Sequence, residues 1–216
     1  MKLLIAAIAL TLSIACGSAI AVEISPLTTV FAPAESKGAL TLRNPSSTPK
    51  TFQIFSEEWV VIDGKRIARP ATDLVLVPSL ITVPAGKTQI VRFLRTGSAV
   101  GEKVYRLGAQ EIIHPDLAKQ PGLHQILRIN WNWVWRPAGA NPALTVHREG
   151  NELVFRNTGS ATAQIVNVKS AVGVLHEGLL DYVMPGTEVR LPLDGKAVPA
   201  SISLRLNGKD TDLAVQ

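Results

Sequence analysis

Cysteine is almost absent from this sequence of 216 residues, and its one example, Cys16, lies close to the N-terminus. Residues 1–21 combine one lysine, an apolar run and a small-x-small ending made by Ala19 and Ala21, which is typical of a secretory signal cleaved before Val22. Cleavage there removes the cysteine. An exported chain without cysteine cannot be a disulfide scaffold, so we expect an ordinary hydrophobic core to hold it together.

Signatures of catalysis are missing as well. The four histidines are scattered, at positions 114, 124, 147 and 176, and no nucleophile elbow, phosphate loop or dinucleotide fingerprint is present. The only adjacent carboxylates, Glu57 and Glu58, fall in a strand segment where neighbours face opposite ways, and we assign them to a solvated edge and a sandwich rim. The sequence predicts that the protein is not an enzyme and uses no cofactor or metal.

Positive charge exceeds negative charge only mildly. The formal net charge of +5 falls to +4 when Lys2 is lost with residues 1–21. This excess is too diffuse to indicate nucleic-acid binding. No second stretch is apolar and long enough to span a membrane, so we expect a product that is not membrane-embedded.

No helical period lasts ten residues outside residues 1–21, and strand signals take its place. Segments rich in β-branched and aromatic residues, separated by turn clusters, occupy residues 38–44, 51–61, 88–95 and 104–113. The alternation stops at RPAGANPA, residues 136–143, and strands resume beyond it. The spacing predicts an all-β protein with two β-sandwiches. LTLRNPSSTPKTFQI and LVFRNTGSATAQIVN look alike, which indicates a recurring sandwich hairpin and only weakly a duplication.

The segment LHQILRINWNWVWRP, residues 123–137, has the period of a strand. Trp131, Trp133 and Trp135 alternate with polar residues and share their parity with Leu127 and Ile129. We expect the tryptophans nearest the break to lie in a core. The apolar residues before them, if they lie on an exposed edge, favour pairing with another chain by β-augmentation.

The order and spacing of these segments resemble a periplasmic chaperone of the chaperone–usher pilus pathway, of its archaic branch. LTLRNPSSTPKTFQIFSEEW resembles the first hairpin, DGKRIARPATDLVLVPSLITVPAGKTQIVRFLR the central strands, and EKVYRLGAQEI the strand before the donor strand. LHQILRINWNWVWRP is then the donor strand, and YVMPGTEVRLPL resembles a turn of the second domain. The resemblance covers nearly the whole mature chain.

This resemblance implies two immunoglobulin-like domains joined at an angle, residues 22–137 with the donor strand and residues 138–216. It implies two partners, pilus subunits that are incomplete immunoglobulin-like proteins and an outer-membrane usher that receives them. The chaperone lends its edge strand to the open core of a subunit until the next subunit replaces it. The alternative is an exported two-domain binding module, for example one that recognises carbohydrate through exposed tryptophans.

The donor strand implied by the resemblance comprises Leu123, Gln125, Ile126, Leu127, Ile129 and Trp131. Parity favours Leu123, Leu127 and Ile129 as the side chains that enter the groove of the subunit. Gln125 interrupts this row, and Ile126 takes its place if a bulge shifts the register.

A carboxylate anchor is the second site that the resemblance implies. The classical branch binds the terminal carboxylate of the subunit with an arginine and a lysine, whose places are taken here by Thr28 and Asn132. In the archaic branch the arginine of a Tyr-Arg motif serves instead, which is Arg106, and Arg128 is a second candidate. A planar guanidinium binds a carboxylate bidentately. The alternative for Arg106 is a structural ion pair.

The family also uses a salt bridge between its two domains, and Glu102, Arg136 and Asp194 match the positions of its members. The alternative is three unrelated surface charges, each of which contributes little. The position of Arg136 at the break between the predicted sandwiches favours the structural role.

Overall fold

The structure is a computed structural model that describes residues 22–97, 100–113 and 126–216. The predicted signal segment 1–21 and the predicted donor residues Leu123 and Gln125 lie outside the described residues. The strands of the first half are β1 (Glu23–Ser25), β2 (Thr29–Phe31), β3 (Lys37–Arg43), β4 (Lys50–Ile62), β5 (Lys65–Pro70), β6 (Leu74–Val77), β7 (Leu80–Val83), β8 (Thr88–Arg95), β9 (Lys103–Ile112) and β10 (Arg128–Trp135). Those of the second half are β11 (Leu144–Glu149), β12 (Glu152–Asn157), β13 (Ala163–Ser170), β14 (Gly173–Val183), β15 (Glu188–Pro192), β16 (Ser201–Leu206) and β17 (Lys209–Ala214).

These strands form four sheets, two in each half of the chain. In the first half one sheet has the order β1-β3-β8-β6, and the other has the order β2-β10-β9-β4-β5 with β7 also paired to β4. In the second half the orders are β11-β12-β15 and β14-β13-β16-β17. The described residues contain strands and no helix, so the all-β prediction is confirmed.

Each half has its own hydrophobic core, because buried side chains alternate with exposed ones along the strands. In β6, for example, Leu74 and Leu76 are buried, and Val75 and Val77 are exposed. The first core joins both sheets of the first half, and a second core joins both sheets of the second half. The chain therefore folds as two β-sandwiches, as predicted. A small cluster of Val104, Val134 and Met184, with Trp59 against it, connects them.

The tryptophans of β10 form the base of the first core. Trp133 and Trp135 are fully buried, and Trp135 stacks on Phe31 with ring centroids 4.4 Å apart. The Trp135 Nε1–H donates to the carbonyl oxygen of Glu35 at 2.6 Å. Trp131, which the sequence groups with the donor row, is only 5% exposed and also belongs to this core. The C-terminal part of β10, which lies nearest the second half of the chain, therefore contributes its large side chains to the core of the first sandwich.

The assignment of Glu57 and Glu58 to a solvated edge is wrong, although the two do face opposite sides of β4. Glu58 is buried and pairs with Arg69 at 2.7 Å and Lys103 at 3.1 Å. Glu57 is partly buried and pairs with Arg106. Strands β5 and β9 flank β4 and place these cations opposite the two carboxylates, a register that the local sequence does not reveal.

Candidate functional site

The first half of β10 has an open edge. Strand β9 pairs with β10 along its whole length, but β2 pairs with it only over Trp133–Trp135. No other strand of the described residues covers the edge of Arg128–Asn132. The Leu127 carbonyl accepts from Glu111 N at 2.8 Å, so odd-numbered residues point their main-chain groups toward β9. Arg128, Asn130 and Asn132 therefore present N–H and C=O groups to the open edge.

The apolar row of the predicted donor strand is accessible over a short stretch. Leu127 and Ile129 are partly buried and pack against the first core. Ile126 is 54% exposed, and its parity is that of the opposite face. Because Trp131 is buried, Leu127 and Ile129 are the described residues of this row that remain available to a partner at the open edge.

A charged row crosses the sheet beside this edge. Asn132 pairs with Arg106, and Arg106 pairs with Glu57 on the next strand. The parallel pairing of β2 with β10, continued by one residue, places Thr28 on the other side of Asn132. Thr28 and Asn132, which the resemblance matches to the basic anchors of the classical branch, thus lie in the same row as Arg106. The Arg106 Nε and Nη2 both donate to Oε2 of Glu57, at 2.8 and 2.5 Å.

Arg128 lies on the same face as Arg106 but at a separate place. The residues between them form a row in which the Phe55 ring covers Gly108, so closely that a Cβ on Gly108 would lie 2.1 Å from the ring. The Arg128 guanidinium stacks over Phe55, 4.8 Å from the ring centroid, and its Nε donates to Oδ1 of Asn130 at 3.4 Å. The structure does not bring the two predicted anchors together.

Glu102 and Arg136 form a link between the two sandwiches. Arg136 Nε donates to Oε2 of Glu102 at 2.5 Å, and Arg136 Nη2 donates to the Thr162 carbonyl at 3.1 Å. The other oxygen of Glu102 accepts from Thr162 N at 2.6 Å. Asp194 takes no part in this link. It is exposed in a left-handed turn after β15, with φ of 48°, and forms no ion pair among the described residues.

A second link between the sandwiches was not predicted from the sequence. Arg66, on the β4–β5 hairpin, donates to Oδ1 of Asp181 at 2.8 Å and to the Tyr182 carbonyl at 2.7 Å. Its guanidinium also lies 4.2 Å from the centroid of the Trp59 ring, a cation–π contact. Arg66 and Asp181 are more than a hundred residues apart in sequence, so no local pattern points to this pair.

The titratable groups with shifted pKa values lie away from the open edge: Glu149 and Arg190 pair in the second sandwich, and the others form a network around Asp73. Burial alone would raise the pKa of Asp73, but hydrogen bonds from Lys103 and Tyr105 outweigh it and hold that pKa below its usual value. Burial and the hydrogen bond to Asp73 raise the pKa of the Tyr105 phenol. The network is an ion-paired brace between β9 and the start of β6.

Within the described ranges there is no group of three or more histidine, cysteine, aspartate or glutamate side chains arranged to hold a metal ion. In the same part of the chain no helix has the length and apolarity needed to cross a bilayer. The features that the structure offers to a partner are an open strand edge, the apolar row and the charged row.

Two linked β-sandwiches, with a main-chain edge exposed beside a half-buried apolar row, define a class of proteins that bind partners by adding a strand. Residues 21–141 match the family of pili and flagellar-assembly chaperones through its PapD N-terminal domain, and the chain belongs to this family. It is a pilus assembly chaperone, as the resemblance in the sequence predicted. No curated relative of the chain was found by sequence.

Solved structures with the same fold cover almost the whole chain. A chain of the CsuC–CsuE complex between a chaperone and a tip subunit of the archaic Csu pili of Acinetobacter baumannii has 17% identity and a TM-score of 0.72, over 90% of this chain and 98% of that chain. The SafA pilin–SafB chaperone structure of Salmonella enterica matches with 17% identity and a TM-score of 0.68, over 90% and 96%. The E. coli chaperone DraB has 18% identity and a TM-score of 0.66, over 91% and 96%. This likeness confirms a fold of two immunoglobulin-like sandwiches.

Proposed function

We propose that this chaperone works in the periplasm by lending β10 to pilus subunits, which are incomplete immunoglobulin-like proteins, and that it delivers them to an outer-membrane usher. The open edge of Arg128–Asn132 is the observation that carries the proposal. Main-chain groups at such an edge supply affinity, and alternate side chains supply specificity. Leu127 and Ile129 are the donor side chains, and Ile126 precedes them on the other face. The signal-like residues 1–21 support export.

Two of the solved relatives support this mode of action, since they are complexes of a chaperone with a tip subunit and with a pilin. We assign residues 22–137 to the domain that donates the strand and residues 138–216 to the second domain. The link between Glu102 and Arg136 supports this division, because it joins the end of β10 to the start of β13. Chaperoning by strand donation needs no catalytic group, so we assign no enzymatic activity.

Arg106 is the proposed anchor for the terminal carboxylate of the subunit, with Arg128 as the second candidate. Arg106 lies next to Asn132, whose main-chain groups face the open edge, so the end of a strand paired with β10 comes within reach of the guanidinium. Thr28 and Asn132 cannot supply charge in the same row. This replacement of the classical anchors supports membership of the archaic branch.

Co-expression with a small exported immunoglobulin-like protein that lacks its last strand tests the function. We expect a one-to-one complex that Leu127→Asp and Ile129→Asp abolish, because even a neutral polar group without a partner in an apolar groove costs on the order of 2 to 7 kcal/mol, and a charge costs more. Leu80→Asp is the matched control, since Leu80 is exposed on β7. Binding to glycan arrays without any stable subunit complex would instead establish the carbohydrate-binding alternative.

A further inference from the structure

The guanidinium of Arg106 is already partly occupied, because one of its edges donates hydrogen bonds to Glu57. We propose that Glu57 determines the specificity of the carboxylate site: it weakens the hold of Arg106 on any carboxylate, so that only a carboxylate carried by a strand paired with β10 binds stably. This inference rests on the proposed function, in which Arg106 anchors the terminal carboxylate of a subunit.

The geometry of the pair leaves room for a second carboxylate. Both Nε and Nη2 of Arg106 donate to the same oxygen, Oε2 of Glu57, so Glu57 uses the side edge of the guanidinium. An arginine has five N–H donors in a planar fork. Among the described residues Nη1 has no hydrogen-bond partner, and the edge formed by Nη1 and Nη2 is the one that receives a carboxylate end-on.

The strand register puts the two partners of Arg106 on opposite sides. Glu57 stands on β4, and Asn132 stands on β10 at the open edge. The side chains of Arg106 and Glu57 are 33% and 28% exposed, so a ligand can reach the pair without rearrangement of the core. Glu57 therefore holds the guanidinium from the side of β4, away from the open edge of β10.

The charge of Glu57 works against the ligand. The row of Thr28, Asn132, Arg106 and Glu57 contains one cation and one anion, so it offers an incoming carboxylate no net positive charge. Two like charges about 5 Å apart weaken binding by a factor of about 4 at the dielectric of bulk water, and by a larger factor at the lower effective dielectric of a partly exposed site. A small free carboxylate has no other contacts that offset the repulsion by Glu57. A carboxylate at the end of a paired strand gains from the high effective concentration that the pairing provides.

A titration with a small carboxylate measures this effect without a subunit. The probe is N-acetylalanine, and its amide is the uncharged comparison. The NMR resonance of the Asn132 side-chain amide reports binding in the wild-type chain and in every variant, because Asn132 is never changed. Glu57→Gln keeps an acceptor for Arg106 and removes the charge. We expect it to bind N-acetylalanine about 5 to 10 times more tightly than the wild type, with a gain that shrinks in high salt.

Glu111→Gln is the matched control. It removes one carboxylate from another ion pair of β9, the one with Lys50, on the opposite face of the strand. We expect no change in the titration for this variant and no response to the amide for any variant.

The outcomes distinguish a failure of the proposed role of Glu57 from a failure of the proposed anchor, Arg106. Unchanged or weaker binding by Glu57→Gln, including binding too weak to saturate, overturns the role of Glu57. Arg106→Ala should remove the response of both wild type and Glu57→Gln. If wild type responds equally with and without the Arg106 side chain, the anchor assignment in the proposed function fails instead.

Discussion

Asn44 and Asn157 occupy equivalent places in the two sandwiches and share three matching hydrogen bonds. Both side chains are fully buried, and each Nδ2 donates to the carbonyl four residues further on and to the carbonyl of a valine. These carbonyls belong to Thr48 and Val83 in the first sandwich and to Ala161 and Val183 in the second. Each Oδ1 accepts from the main-chain N two residues on. The two similar hairpins of the sequence thus each contain a buried asparagine with equivalent main-chain partners.

Replacement of either asparagine by alanine should destabilise the chaperone. Asn44→Ala and Asn157→Ala each leave buried carbonyls without a donor, so we expect each to lower the free energy of unfolding by about 1 to 3 kcal/mol. The two lie in separate cores, and their effects should add in the double variant. Urea unfolding followed by tryptophan fluorescence and circular dichroism measures both. Asn151→Ala, in an exposed turn, is the control, and equal losses there would refute a special role for the two buried asparagines.

Loss of Arg136 should lower the free energy of unfolding, because it leaves the buried carboxylate of Glu102 without its cation. Glu102 has a side chain only 3% exposed, and removal of one partner of such a pair typically costs about 3 to 5 kcal/mol. We therefore expect Arg136→Ala to lower the unfolding free energy by that amount and to separate the unfolding of the two sandwiches. Arg43→Ala should cost about 1 kcal/mol or less, since its pair with Glu23 is exposed. Asp194→Asn should have the stability of the wild type. A large loss of unfolding free energy in this variant would show that Asp194 takes part in the link between the two sandwiches.

Removal of the proposed anchor should abolish capture of the subunit while the chaperone stays folded. Truncation of one partner of a desolvated charge pair costs about 2 to 5 kcal/mol, so Arg106→Ala should leave little stable complex. Arg106→Lys should restore part of it, because lysine lacks the planar fork. Arg128→Ala should be milder, since Arg128 stacks on Phe55 outside the charged row. The level of subunit in the periplasm is the measurement, and a wild-type level with Arg106→Ala would transfer the role to Arg128 or to Arg92, an exposed arginine of β8.

Stability should fall at both ends of the pH range because of the network around Asp73. The folded-state pKa of Asp73 is depressed, so its contribution is present above the unfolded pKa of about 3.9 and is lost as pH falls further. The pKa values of Lys103 and Tyr105 are raised, so their contributions are present below about pH 10 and are lost above it. Thermal unfolding between pH 2 and 11 should show a plateau between these limits. Asp73→Asn should flatten the acid side, and an unchanged acid slope would contradict this assignment.

Much of the architecture follows from the sequence alone. The alternation of apolar residues determines which side of each strand is buried, as in β10, where Trp131, Trp133 and Trp135 lie in the core and Asn130 does not. The break at residues 136–143 separates the two sandwiches, and the order of the strand segments identifies the family. These properties are local or ordinal, so they can be read along the chain without knowledge of which strands meet.

The partners of the polar residues were decided by the tertiary structure. Glu57 meets Arg106, and Arg66 meets Asp181, because strands distant in sequence pair in a particular register, and a shift of one residue would turn each side chain to the other face. The same holds for the edge of β10: the sequence predicts the strand, but only the short pairing of β2 leaves Arg128–Asn132 open. A strand carries no local signal of whether a neighbour covers it, because the hydrogen-bonding groups at its edge are those of every main chain.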